Sequence, residues 1–419
     1  MLMTVPAAPS RRTSARLLFV LLAGALAMLL LGGAPTTAAA RAGAKRAKTT
    51  RSATVPQGFV GMDIDGPLFD PTSPLNLGNQ MTSMVADGVQ SLRVAFNWAA
   101  AQPYDSLAQV PADRQGEFVP GPDGRPIDYS VTDQIVGNAA AHGLTVLPTL
   151  LYAPSWDGQS NAGGITIPQQ DAPYAEFAAA MVQRYGPQGT FWTENPQIPK
   201  LPVRMWQIWN EPNLPAYWPQ PFARSYVALL HAAHDAIKHV DPKAKVVLGA
   251  LTNFAWRAIG DIYKISGARN LFDIAAVNGF TATPADVILY WRYVRAAMAH
   301  YQDGHKPLLA TELSWPSAKG QSPQREDFST TAKGQAKDVA AMLPLIGRWR
   351  TRLRLAGFYY YTWIDAEHGG GPVFSFAGLQ RITDGGQVRV KPALAAFRAG
   401  ALALEHCRAK GDTATSCTH

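Results

Sequence analysis

The stretch VRMWQIWNEPNLPAYWPQPFARSYVALLHAAHDAIKHVDPKAKVVLGAL (203–251) contains one complete strand–helix–strand unit. Its first eight residues, 203–210, form an apolar run of strand length. Residues 211–221 read as a loop. Tyr226, Leu229, Leu230, Ala233 and Ile237 then recur at helical spacing over 222–240, and Asp241-Pro242 stops the helix. A second apolar run, 245–251, follows almost at once. Two strands joined through a helix run parallel, because a two-residue hairpin cannot connect them. The same unit repeats on both sides. Strands are predicted at 58–64, 90–97, 144–151, 272–280, 307–313 and 355–363, and helices near 77–87, 130–142, 173–185, 256–265, 284–301, 331–350 and 392–405. Eight strands alternating with eight helices predict an α/β fold of the (β/α)8 TIM-barrel type over residues 57–405. A doubly wound open sheet is the alternative, but it would carry a Gly-rich first turn that is missing here. The connections after strands are long (98–129, 152–172, 211–221, 313–330, 364–391), and most of those before strands are short. That asymmetry places the functional face at the C-terminal ends of the strands.

Composition narrows the partners. Of 419 residues, 47 % are hydrophobic and 16 % charged, enough for a large core. The formal charge of +8 comes from the N-terminus: residues 1–54 hold eight Lys or Arg and no Asp or Glu. From residue 55 onward, 30 basic residues face 30 acidic ones. The body is neutral, which argues against a nucleic-acid partner. Arg11, Arg12 and Arg16 precede an apolar run from Leu17 to Leu31, and Ala38-Ala39-Ala40 fits a signal-peptidase site. Residues 1–40 therefore read as a signal peptide, with a signal anchor over 17–34 as the alternative. Residues 41–56 read as a basic flexible linker, and the body is expected to be secreted or extracytoplasmic. The only two cysteines, Cys407 and Cys417, lie in the tail 406–419 and suit a disulfide in an oxidising compartment.

Two glutamates carry the chemistry. Glu211 ends the fourth strand in MWQIWNEPNLPAYW and Glu312 closes the seventh in LLATELSW. A carboxylate at the end of a buried strand is costly unless it is paired or hydrogen-bonded, so two of them on one barrel face point to a function. Two carboxyl groups whose environments separate their pKa values suit acid/base work at a glycosidic bond.

Asn210-Glu211-Pro212 after strand four, together with a second Glu at the end of strand seven, resembles clan A of the retaining glycoside hydrolases. Trp209-Asn210-Glu211-Pro212-Asn213-Leu214 and Tyr361-Thr362-Trp363 are similar to families thirty-nine and five of that clan, and the element order matches over residues 57–400. The resemblance implies Glu211 as general acid/base and Glu312 as nucleophile. It implies Asn210 on the sugar 2-hydroxyl, Arg93 beneath Glu312 keeping it ionised, and Trp363 as a stacking floor, with mostly β-linked substrates. The residues alone allow other readings: Arg93 as an outer-face salt bridge and Asn210 as a turn former before Pro. One departure is that Val277-Asn278-Gly279-Phe280 stands where clan members often carry His and Tyr, so either another group supports Glu312 or the site is tuned to a different substrate or is slow.

Six tryptophans follow predicted strand ends: Trp98, Trp156, Trp218, Trp256, Trp315 and Trp363. Aromatic rings at the mouth suit the C–H faces of a carbohydrate, and core packing is the other reading. Asp157 and Asp365 stand beside two of these rings as candidate hydroxyl binders or turn residues. Gly369-Gly370-Gly371 reads as a loop able to cover the cleft. H-E-x-x-H, C-x-x-C and a phosphate-binding Gly-rich loop with Lys are all missing, so neither metal nor cofactor is expected. The expectation is a monomeric glycosidase. An idle cell-surface carbohydrate-binding protein on the same scaffold, or a transglycosylase, stands as the alternative.

Overall fold

The computed structural model describes residues 54–419 apart from 70–72, 74, 162–163, 367–368 and 384. The signal, the anchor alternative and nearly all of the linker lie outside the described residues. Eight parallel strands form the central sheet: β1 (Val60–Asp63), β2 (Ser91–Asn97), β3 (Thr145–Leu151), β4 (Met205–Ile208), β5 (Lys245–Val247), β6 (Ala275–Asn278), β7 (Leu308–Leu313) and β8 (Leu355–Tyr361). The ladder runs β6-β7-β8-β1-β2-β3-β4-β5. Parallel bridges Val247–Ile274 and Leu251–Val277 join β5 to β6 and close the barrel. The helices between strands are α1 (Leu77–Ala86), α2 (Ser130–Ala141), α3 (Asp171–Tyr185), α4 (Ala223–Val240), α5 (Ala255–Tyr263), α6 (Pro284–His300) and α7 (Ala332–Leu353), with α8 (Pro392–Glu405) after β8. Each strand and helix expected from periodicity has a counterpart within a few residues.

Local chemistry sets the helix starts. Asn76, Thr283 and Thr331 each accept a backbone N–H of the first turn of α1, α6 and α7, and Pro stands at the start of α6 and α8. On α4 the stripe Tyr226, Leu229, Leu230, Ala233 and Ile237 is buried against the barrel, as its spacing requires. The barrel interior is filled separately by Leu147, Val247, Ala276, Leu309 and Tyr359, one side chain from each of five strands. Tyr359 occupies the space that a Cβ on Gly61 of β1 would need, so that position is restricted to glycine. Above this apolar layer the interior turns polar, with Asp63, Arg93, Thr149 and Gln207 all buried.

Small elements decorate the functional face. The loop after β3 forms a hairpin of Gly158–Ser160 with Thr166–Pro168, and Ile364–Ala366, Gln380–Ile382 and Val388–Val390 make a three-stranded sheet beyond β8. At the opposite end, Cys407 and Cys417 are bonded. Ala414 N–H donates to His142 O, and the Lys410 ammonium pairs with Glu405, which seats the tail on the barrel.

Candidate active site

Residues at the C-terminal ends of the strands surround a cavity of about 400 Å³. Arg93 forms its floor. On β2 side chains alternate, so Leu92, Val94 and Phe96 belong to the layer under the helices while Arg93 faces the interior. The outer-face alternative for Arg93 is thereby excluded. Its guanidinium donates to four groups: Nε to Gln207 Oε1 at 2.7 Å, one terminal nitrogen to Asp63 and to Glu312 Oε1 (2.7 Å), and the other to Asn210 Oδ1 at 2.9 Å. Burial would depress the pKa of the guanidinium, but the charges of Asp63 and Glu312 outweigh it, so Arg93 is held charged. By accepting from Arg93 through Oδ1, Asn210 is oriented with its amide nitrogen free to donate.

Glu211 is presented by an irregular strand end. β4 stops at Ile208, and Trp209 (φ 66°) and Glu211 (φ 45°) both adopt the left-handed region. Such residues cost about 1–3 kcal/mol each and persist only when their surroundings hold them. Here the Glu211 N–H donates to Ala250 O at 2.9 Å, which ties the turn to the segment after β5. Tyr152 (φ 68°) and Asn253 (φ 52°), also on the cavity, share this conformation. Burial and then the charge of Glu312 push Glu211 up to about 8, so it holds its proton at neutral pH. Glu312 is also raised by burial, but Arg93 opposes the shift through charge and hydrogen bonding. The two carboxyl groups thus differ in surroundings, since the cation is bonded to Glu312 and not to Glu211.

Asn278 bears on the alternatives left by the missing His and Tyr. Its amide Nδ2 donates to Glu211 Oε1 at 2.8 Å, and its Oδ1 accepts from Thr311 Oγ1 at 2.9 Å, which fixes which way the amide points. Its amide lowers the pKa of both carboxyl groups. Polar support on β6 is therefore present at Asn278 in place of His and Tyr. Phe280 forms an apolar wall, its ring 4.9 Å from Phe374, 5.5 Å from Phe328 and 6.3 Å from Tyr361.

The tryptophans expected around the mouth are elsewhere. Trp98, Trp218, Trp315 and Trp363 are buried, and none of the six tryptophans singled out lines the cavity. Trp363 illustrates why. β8 ends at Tyr361, Thr362 Oγ1 donates to Asp63 O at 2.7 Å, and the chain turns so that Trp363 Nε1 donates to Gln80 on α1 at 2.8 Å. The indoles of Trp98, Trp218 and Trp315 are likewise spent on Gln102, Ser225 and Thr281 O, and that of half-buried Trp156 on Gln102 O. These rings support the mouth from below. The cavity instead presents Tyr152, Tyr217, Tyr361, Phe280, Phe328 and Phe374.

Asp157 and Asp365 are also buried away from the cavity; Asp157 accepts from Gln170, and Asp365 from Gly378 N–H and Lys391. The acids that do line it, beyond the two glutamates, are Asp63, Asp65 and Glu326. Asp63 and Asp65 were legible in GFVGMDIDG as alternate residues at the end of an apolar strand. Tyr361 donates to Asp65 at 2.6 Å. Among the described residues, no group of three or more His, Cys, Asp or Glu is placed to hold a metal ion.

No family model and no curated protein matches the sequence. Among solved structures the fold is similar to a GH39 β-xylosidase from Caulobacter crescentus (18 % identity, TM-score 0.56, covering 83 % of this chain and 72 % of that one). It is also similar to the GH53 catalytic domain of Ignisphaera aggregans (20 %, 0.53, 83 % and 97 %) and the exo-β-1,4-mannosidase of Opitutaceae bacterium strain TAV5 (15 %, 0.54, 85 % and 62 %). At these identities the likeness is one of architecture, and the chain has the eight-stranded barrel on which these glycoside hydrolases are built.

Proposed function

We propose that this protein is an exported retaining glycoside hydrolase acting on β-linked sugars, with Glu211 as acid/base and Glu312 as nucleophile. One observation carries the reading: Arg93 binds Glu312, while Glu211, lifted to about 8, accepts from Asn278 and not from Arg93. The barrel likeness to glycoside hydrolases supports it. Retention requires carboxyl groups about 5–5.5 Å apart, and both glutamates line the same cavity beside Arg93 and Asn278.

The steps balance. As the bond from C1 to the glycosidic oxygen breaks, Glu211 gives its proton to that oxygen and the Glu312 carboxylate attacks C1, forming a glycosyl ester and releasing the alcohol. Glu312 has then lost its charge, which removes the second-largest cause holding the pKa of Glu211 up. Glu211 is left as a carboxylate of lower pKa, suited to take a proton from water as the water oxygen attacks C1 and frees Glu312. Asn210, its amide nitrogen freed by Arg93, donates to the sugar 2-hydroxyl.

The test is hydrolysis of a panel of aryl β-glycosides by the wild type, Glu211→Ala and Glu312→Ala. Turnover should be lost in both variants, and azide should rescue Glu312→Ala with an inverted glycosyl azide as product. A well-folded wild type that turns over no aryl glycoside or polysaccharide would move the assignment to a carbohydrate-binding scaffold.

A further inference from the structure

At the end of the barrel opposite the cavity, where α7 leads into β8, the chain reads GRWRTRLR (347–354), with arginines at 348, 350, 352 and 354 and no acidic residue. One or two cations there would answer the carbonyl end of the helix. Other cations at this end of the barrel are paired: Lys238 and Lys245 with Asp273, Lys306 with Asp303, and Lys410 with Glu405. The α7 corner is different. Arg348, Arg352 and Arg354 are exposed, as is Arg292 on the adjoining α6, and among the described residues none of the four has a carboxylate partner.

The corner is organised around one ring. Arg292 and Arg352 both lie over half-buried Trp349, each guanidinium 5.4 Å from the ring centroid. Unlike Trp98, Trp218, Trp315 and Trp363, Trp349 gives its indole N–H to no protein acceptor among the described residues. A half-buried indole that keeps its donor, set among guanidiniums, has the make-up of a membrane-interface contact: the ring lies at headgroup level and the cations meet phosphates. The chain also enters the barrel here. Arg350 donates to Thr54 O at 3.3 Å and stands 5.8 Å from the Phe59 ring. Residues 1–53, with eight Lys or Arg and no acid, therefore join the barrel beside these arginines.

We propose that the corner of Trp349, Arg292, Arg348, Arg352 and Arg354 docks the barrel on an anionic lipid surface, with the cavity at the far end directed away from it. Guanidinium forks match phosphate oxygens in paired hydrogen bonds. From residue 55 onward the chain has 30 basic and 30 acidic residues, so the attraction comes from this patch and not from net charge. It acts within a Debye length of the surface and weakens with salt. The contact does not depend on the reaction in the cavity.

The test uses the full chain carrying an environment-sensitive fluorophore on one added cysteine, the native pair being bonded. The label sits at exposed Thr351 (Thr351→Cys) in the corner, or at exposed Asp327 (Asp327→Cys) on the loop after β7. Docking is thereby read locally, whether or not the N-terminal segment also binds lipid. Vesicles are phosphatidylcholine alone or with phosphatidylglycerol. Emission from position 351 should rise and shift to the blue on the anionic vesicles only, and position 327 should not respond. Replacing Arg348, Arg352 and Arg354 together by Gln should raise the half-saturating lipid concentration about tenfold, and the same three changes to Lys should restore it. No response at 351, an equal response on neutral vesicles or at 327, or an unmoved midpoint in the Gln variant would overturn the proposal. So would an equal response to duplex DNA, which would make the corner a general polyanion site.

Discussion

Glu211→Gln tests the acid assignment without any substrate. In the unfolded chain Glu211 ionises near its ordinary 4.5, whereas in the fold burial and the Glu312 charge hold the proton to about 8. Between these values the folded state binds more protons, so this group's contribution to stability falls as pH rises from about 4.5 to about 8. At about 1.4 kcal/mol per pH unit, the full penalty is on the order of 5 kcal/mol at pH 8 and about 1 kcal/mol at pH 5. Glutamine keeps the shape and still accepts from Asn278, but carries no ionisation, so it removes the penalty. Glu211→Gln should therefore melt above the wild type by roughly 6 °C at pH 8, taking an unfolding entropy of about 2.1 cal/mol/K per residue, and by roughly 1 °C at pH 5. Differential scanning calorimetry of both proteins across this range reads the difference directly, and general pH effects cancel between them. If the gap does not widen from pH 5 to pH 8, Glu211 is already ionised in the fold and loses its role as the acid.

Two more perturbations act on the same network. Asn278→Ala removes a donor that lowers both glutamates, so the acid and alkaline limbs of kcat/KM should both move up by about half to one pH unit; a slower enzyme with unmoved limbs would make Asn278 merely structural. Arg93→Lys replaces a planar fork serving four acceptors with a single ammonium. It should lower kcat at least about 100-fold and raise the acid limb as Glu312 loses its partner, and a loss confined to KM would contradict this.

The barrel was legible because its signal is periodic and local. In β2 and α4, two-residue alternation and the helical stripe each select the face that the structure buries. Glu211, Glu312, Asn210 and Arg93 were legible for a related reason: each is a polar residue within or at the end of an apolar strand, and a closed barrel sends the strand ends to one face. The tryptophans failed because they stand one to ten residues beyond the last strand residue, where alternation no longer fixes direction. Trp363 and Tyr361 are two apart and would share a face on a continuing strand, but the Thr362–Asp63 hydrogen bond ends β8 between them.

The charge ledger of the cavity explains why these residues cannot be exchanged freely. Asp63 and Glu211 are buried and Asp65 and Glu312 half-buried around one cation, Arg93, which binds Asp63 and Glu312. Four anions crowded about one cation would be costly, and burial raises all four carboxyl groups, Asp63 and Glu211 strongly, so the site keeps protons at neutral pH. Asp65 receives the phenolic hydrogen of Tyr361, and Asp63 and Glu312 receive Arg93. Glu211 is left with a neutral donor, Asn278, and with the Glu312 charge against it. The proton that a general acid needs is thus retained at Glu211 by the way the cation is distributed among its neighbours. Moving Arg93 would relocate that proton before it changed any contact to a sugar.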